Sequence, residues 1–250
     1  MKVKIFNTPK EAGAYASETA AELLNEAIAK KGVARIVLST GASQFPFFDA
    51  IIREKVDWSK VEMFHLDEYI GIEKTHKASF VKYLEEKFTS KVSLKAAYFV
   101  NGKGDIQKNI AELTKNINKA EIDVALIGIG ENAHIAFNDP PADFESDSAY
   151  KIVDLDQKCK AQQVGEGWFA DEKSVCSTAM SMTCKQIMKC KNIISLVPYS
   201  VKANAVKMTL ESEKTNLVPA TLLKEHKSWI LVCDKDSAAL ISPEMKKLCS

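Results

Sequence analysis

Five short apolar runs constrain this chain more than any other feature. They are Arg35-Ile-Val-Leu38, Val61-Glu-Met-Phe64, Val124-Ala-Leu-Ile127, Asn192-Ile-Ile-Ser-Leu-Val197 and Ser228-Trp-Ile-Leu-Val-Cys233. They are nearly continuous rather than alternating, which is how a strand reads when both its faces are buried in a parallel sheet. Helical patterns lie between them. Lys2–Phe6 alternates and reads as a first short strand. Thr8-Pro-Lys-Glu11 is a capping box with proline at the first helical position. The helix it opens runs to about Lys31 and stops at Gly32, a left-handed cap. Further helical patterns run from Phe45 to Arg53, Ser79 to Phe88, Asp105 to Lys119, Gln157 to Val164, Thr183 to Lys189 and Lys202 to Glu211, with a short one from Asp236. Tyr98–Val100, Lys151–Leu155 and Val175–Ala179 complete the strands. This alternation predicts an α/β fold: a single doubly wound, mostly parallel sheet with right-handed crossovers and helices on both faces, Rossmann-like in kind. No repeat, low-complexity segment or linker interrupts it, so residues 1–250 read as one domain.

In an open parallel sheet, ligands collect beyond the carboxyl ends of the strands. Four such ends carry polar groups here. The strand at 124–127 breaks into Gly128-Ile129-Gly130, where the backbone can turn sharply and approach a ligand. His134, Asn138 and Asp139 follow, a set able to handle protons. The strand at 35–38 runs into Ser39-Thr40-Gly41-Ala42-Ser43 and then a helix, an arrangement whose backbone N–H groups and helix end suit a phosphate. It is not a P-loop, because GxxxxGK is absent. The strand at 61–64 ends in His65-Leu66-Asp67-Glu68-Tyr69, where one of two adjacent carboxylates can face the active edge while the other pairs elsewhere. Lys202 falls in the first turn of a helix, against the helix dipole, and makes more sense with an anion beside it. Each stretch also has a plainer reading: a crossover with a solvated histidine, an ordinary strand-to-helix turn, a capping aspartate, a solvated lysine.

Charge excludes two classes of function. With 34 basic and 33 acidic residues the formal net charge is +1, which leaves no electrostatic footprint for nucleic acid or for a membrane surface. No apolar run is long enough to span a bilayer, and Met1 leads straight into a strand and a helix without a signal peptide. Six cysteines (159, 176, 184, 190, 233 and 249) contain no CxxC pair and read as thiols in a reducing cytoplasm. Four histidines without ligand spacing give no expectation of a metal, and no cofactor is expected.

Five motifs, LSTGAS over 38–43, FHLDEYIG over 64–71, GIGENAHIAFNDP over 128–140, VPYSVKA over 197–203 and WILVCD over 229–234, come in the order and spacing of a known family. The chain resembles the glucosamine-6-phosphate deaminase/isomerase family, within a superfamily that also holds 6-phosphogluconolactonases. The lactonases usually carry DER and an LFP ending where this chain has DEY and FNDP. The resemblance implies an intramolecular redox reaction on an amino sugar phosphate, releasing ammonia and leaving a ketose phosphate. It implies His134 for ring opening, Asp67 as the base that moves a proton between C2 and C1, and Asp139 as support for the histidine. The phosphate would sit on Thr40, Gly41, Ala42 and Ser43 with Lys202 nearby. Asn132 stands where the family has a carboxylate, Ala133 where it often has glycine, and Asp139 where it has glutamate. Ala42 and Gln44 replace Gly and Pro, and no arginine appears in Gln162–Trp168 to grip the phosphate. The resemblance implies a small-molecule partner, an amino sugar phosphate. The family holds both monomers and larger assemblies, so a homo-oligomer stays open. Two alternatives remain: a lactonase-like hydrolase and a sugar-phosphate-binding sensor with little turnover.

Overall fold

The computed structural model describes residues 2–155 and 157–248. Cys249, read above as a thiol, lies outside them. Seven strands form one parallel sheet in the order β1, β10, β9, β6, β2, β3, β5. They are β1 (Lys2–Phe6), β2 (Ala34–Leu38), β3 (Val61–His65), β5 (Ala96–Tyr98), β6 (Val124–Leu126), β9 (Ile193–Val197) and β10 (Trp229–Asp234). The apolar runs sit centrally: every residue of β2, β6 and β9 is buried. Alternate residues serve opposite faces, as the two-residue period requires. Ile36 and Leu38 join the core under α1 (Pro9–Lys31) and α2 (Phe45–Ile51). Val37 between them joins the opposite core, with α4 (Ile106–Ile117), α6 (Cys184–Met188) and α7 (Ala203–Glu211). The remaining helices are α3 (Phe80–Leu84), α5 (Gln157–Gly165) and α8 (Pro243–Leu248).

Local chemistry sets the boundaries. The Thr8 hydroxyl accepts from the Glu11 N–H, the Glu11 carboxylate accepts from the Thr8 N–H, and Gly32 closes α1 at φ 75°. Asp105 caps α4 as expected. Arg35 is buried and donates to the carbonyls of Asn116, Ile117 and Ala120 beyond the last turn of α4, with Glu62 on its Nε at 3.2 Å.

Three expectations change. A second, antiparallel sheet of three strands sits beside the first, in the order β4 (Asp67–Tyr69), β8 (Thr178–Met182), β7 (Tyr150–Asp154). β7 alternates buried and open positions, the mark of a strand with one solvated face. The strand expected at 175–179 therefore starts three residues later, at Thr178, and pairs outside the main sheet. The helix expected from Ser79 to Phe88 is α-helical only over Phe80–Leu84 and continues as a π-helical turn, Glu85–Thr89. No helix starts at Asp236. The Asp234 carboxylate takes the N–H groups of Ser237 and Tyr199, a local bond that competes with helix formation, and α8 begins only at Pro243.

β2 is followed along the chain by β3 on one side, while β6 leads to β9 and β10 on the other. Their loops part, and a crevice opens between the carboxyl ends of β2 and β6, at the switch point of the sheet.

Candidate active site

The crevice is lined by Ser39, Thr40, Gly41 and Ser43 after β2, and by Asp67 at the start of β4. Gly128, Ile129, Gly130 and His134 after β6 line it too, with Lys202 before α7 and Gln162, Gln163, Glu166 and Trp168 on and just after α5.

The loop after β2 is tied to the sheet at both ends. Ser39 donates its N–H to the Leu126 carbonyl, and its hydroxyl accepts from the Gly128 N–H at 3.2 Å. Gly41 sits at φ 103°, ψ 161°, a conformation closed to side chains. Its carbonyl accepts from the Tyr83 hydroxyl and the Gln44 N–H. The Gln44 amide donates to the Leu196 carbonyl at 3.0 Å, locking the turn against β9. Thr40, Gly41 and Ser43 face the crevice, whereas Ala42 is not among the lining residues. Residues 42–44 form a 3₁₀ turn before the seven-residue α2. A helix this short contributes little dipole, so anion binding here falls to loop N–H groups, hydroxyls and Lys202.

The adjacent carboxylates divide as expected. Glu68 points away and accepts from the Ser79 hydroxyl at 2.8 Å and from the N–H groups of Val81 and Tyr69, both at 2.9 Å. Asp67 is buried, with no hydrogen bond to its carboxylate among the described residues, and lines the crevice. Burial first, and the charge of Glu68 second, raise its pKa well above the ordinary carboxylate range.

His134 lies across the crevice, its ring folded over Gly130. A Cβ at Gly130 would stand 2.3 Å from the imidazole, so only glycine fits. The turn is held by the Gly130 N–H on the His134 carbonyl at 2.9 Å. Ala133 adopts φ 64°, confirming a position suited to glycine. Asp139 Oδ1 stands 3.0 Å from His134 Nδ1 and also accepts from the Asn132 amide at 3.0 Å. The Asn132 side-chain oxygen Oδ1 accepts from the His134 backbone N–H at 3.2 Å. Asn132 thus orients both members of the pair without adding charge. Burial would raise the Asp139 pKa, but contact with His134 and bonds from Asn132 and Cys159 outweigh it and hold the carboxyl below its usual range. Asn138 stays out of the crevice; its amide donates to the carbonyls of Ile135 and Met182, both at 2.9 Å, pinning the loop to β8.

The opposite wall comes from α5 and was not expected to contribute. Glu166 accepts from the Gln162 amide at 2.7 Å and from the Trp168 indole at 2.9 Å. The four-residue step from Gln162 to Glu166 is the available sequence signal: polar groups on one helix face before an aromatic. Lys202 is buried and is the only cation among the lining residues. Burial lowers its pKa, partly opposed by the charges of Glu166 and Glu131. Neither of the chain's two arginines reaches the crevice: Arg35 is spent on the end of α4, and Arg53 lies beyond α2.

A parallel α/β sheet with a carboxylate, an imidazole–carboxylate pair and a buried lysine at its switch point carries the groups needed to move protons on a small anion. The chain belongs to the family described as glucosamine-6-phosphate isomerases/6-phosphogluconolactonase, whose model matches residues 7–232. Its relatives include proteins named glucosamine-6-phosphate deaminase from Oenococcus oeni, 32% identical over 97% of this chain and 99% of the relative, and from Lacticaseibacillus paracasei, 31% identical over 97% and 99%. Among solved structures, one titled as a monomeric glucosamine-6-phosphate deaminase superposes with a TM-score of 0.87 at 26% identity, covering 96% of this chain and all of that one. A 6-phosphogluconolactonase from Trypanosoma brucei shares the fold at a TM-score of 0.78 and 13% identity.

Proposed function

We propose that the chain is a glucosamine-6-phosphate deaminase, converting glucosamine 6-phosphate or an epimer to the matching ketose phosphate and ammonia. The carrying observation is the placement of Asp67 and His134 in one crevice that also holds Lys202, in a chain aligned nearly end to end with deaminases. In this reading the phosphate lies on the Thr40–Ser43 loop beside Lys202. His134, kept in place by Asp139 and Asn132, delivers a proton to the ring oxygen and opens the ring. Asp67 then takes the C2 proton and returns it to C1 through an enolamine. The iminium left at C2 is hydrolysed by water, and ammonia leaves. A desolvated carboxylate with a raised pKa is a stronger base than one in water, which suits a carbon acid. We further read residues 1–250 as one domain, because β1 and β10, from the two ends of the chain, pair within the same sheet.

The test is ammonia release from glucosamine 6-phosphate, with galactosamine 6-phosphate in parallel and Asp67→Asn as control. Release that vanishes in the variant is expected. Silence on both sugars, or release that persists in the variant, overturns the reading. Among the described residues no helix is long and apolar enough to cross a membrane.

A further inference from the structure

Beneath the crevice floor, the His134–Asp139 pair meets a third side chain that no catalytic step above uses. Cys159, buried on α5, comes within reach of both. His134 Nδ1 or Nε2, an Asp139 carboxylate oxygen and Cys159 Sγ lie within 4.8 Å of one another. Asp139 Oδ1 accepts from the Asn132 amide and stands 3.0 Å from His134 Nδ1, and the Cys159 thiol also bonds the Asp139 carboxylate. An imidazole nitrogen, a carboxylate oxygen and a thiol gathered this closely in a part-buried site form a preassembled donor set.

We propose that His134, Asp139 and Cys159 form an inhibitory site for a thiophilic divalent cation, Zn²⁺ foremost. Nitrogen, carboxylate oxygen and sulfur are the donors zinc takes, with water as a fourth ligand. Zinc bonds of about 2.0–2.3 Å place tetrahedral ligand atoms roughly 3.3–3.6 Å apart. The observed 3.0 Å between Nδ1 and Oδ1 therefore needs to open by only a few tenths of an ångström. Asn132 already orients the carboxylate, as an outer partner of a metal ligand does. On binding, Cys159 gives its proton to solvent and coordinates as thiolate. His134 binds as neutral imidazole through Nδ1, with its proton fixed on Nε2. It can then no longer alternate between charged and neutral forms, and the ring-opening proton transfer stops. The inhibitory half of the proposal rests on the ring-opening role given to His134; the binding half does not. No sequence spacing signals the site, because Cys159 comes from a separate helix after the second sheet has begun.

Co²⁺ is the probe for binding, because a thiolate ligand gives it a charge-transfer absorption that a serine cannot. Chelator-treated protein titrated with Co²⁺ is expected to develop this band to one equivalent, to lose it in Cys159→Ser, and to return to baseline when Zn²⁺ is added. Asp139→Asn, which leaves the thiol in place, is expected to weaken Co²⁺ binding at least tenfold. In the ammonia assay, Zn²⁺ is expected to suppress the wild-type rate strongly. In Cys159→Ser, referred to its own metal-free rate, that suppression should shrink towards none. The absence of a thiolate–cobalt band in the wild type, a band that survives in Cys159→Ser, or zinc suppression unchanged in that variant each overturns the proposal. If the wild type releases no ammonia even without metal, the deaminase reading has failed, and the cobalt band alone decides the site.

Discussion

The two walls of the crevice are built differently. The wall formed by the β2 and β6 loops is anchored to the sheet: Ser39 bridges to Leu126 and Gly128, Gln44 to Leu196, and Asn138 to Met182. The wall formed by α5 bonds its polar groups to one another, with Gln162 and Trp168 both on Glu166, and meets the rest of the molecule through the Glu131 N–H on Gln162 and apolar packing. His134 therefore stands on a loop tied to the sheet and Asp67 on β4, paired with β8, where a small displacement is costly. The polar groups of the α5 wall reach the sheet through one loop contact and apolar packing rather than through several backbone bonds. The chemistry is thus expected to be sensitive to changes on the sheet side, and affinity to changes on the α5 side.

The largest effect should come from the sheet side. Asp67→Asn preserves shape and removes the base, and is expected to lower kcat by about 10²- to 10⁴-fold with sugar-phosphate binding retained. Near-wild-type turnover would remove Asp67 from the mechanism. The same variant is expected to melt higher than the wild type at neutral pH. The sign follows from the raised pKa of Asp67. The folded state holds this proton more tightly than the unfolded state, so the folded state is penalised as pH rises from the ordinary carboxylate range through the raised value. Below that window the penalty is absent, and the difference in Tm should disappear. For the same reason the acidic limb of the wild-type rate profile should lie above the ordinary carboxylate range.

Gly130→Ala ranks next. The added methyl would collide with the His134 ring, and the expected cost is about 1–3 kcal/mol of stability in a denaturant melt, with activity lost alongside. Full activity in a stable variant would show that the ring can move without consequence. Glu166→Gln tests the other wall. It removes a negative charge near Lys202 and leaves an amide able to accept from Trp168. A several-fold fall in KM for the sugar phosphate is expected, with kcat little changed; a change confined to kcat would mean the two walls do not divide as described. The smallest effect belongs to Ala133→Gly. Relief of a left-handed alanine, about 1–2 kcal/mol, is offset by the entropy of a freer unfolded chain, about 0.5–1 kcal/mol. A net gain of no more than about 1 kcal/mol should appear as a modest rise in Tm.

The sheet was legible because its strands announce themselves locally. β2, β6, β9 and β10 carry apolar runs that no solvated strand would have, and the capping box at Thr8 marks the start of α1 in four residues. The sequence placed Asp67, His134 and Lys202 at the crevice for a related reason, since each lies in the stretch that follows a strand. Glu166 and Cys159 were not. Cys159 sits on α5 and Glu166 just after it, in a stretch whose composition is unremarkable for a surface helix. Their importance comes from contacts with residues separated from them by much of the chain.

The sequence by itself determined the parallel α/β sheet, its carboxyl edge and the polar groups delivered there. Period, capping and glycine placement act over a few residues and need no partner. Only the tertiary structure decided that Glu68 turns from the crevice while Asp67 faces it. It also set a glutamate rather than an arginine beside Lys202, and brought Cys159 against His134 and Asp139. These depend on which distant surfaces the sheet brings together, and that follows from burying two cores at once rather than from any local pattern.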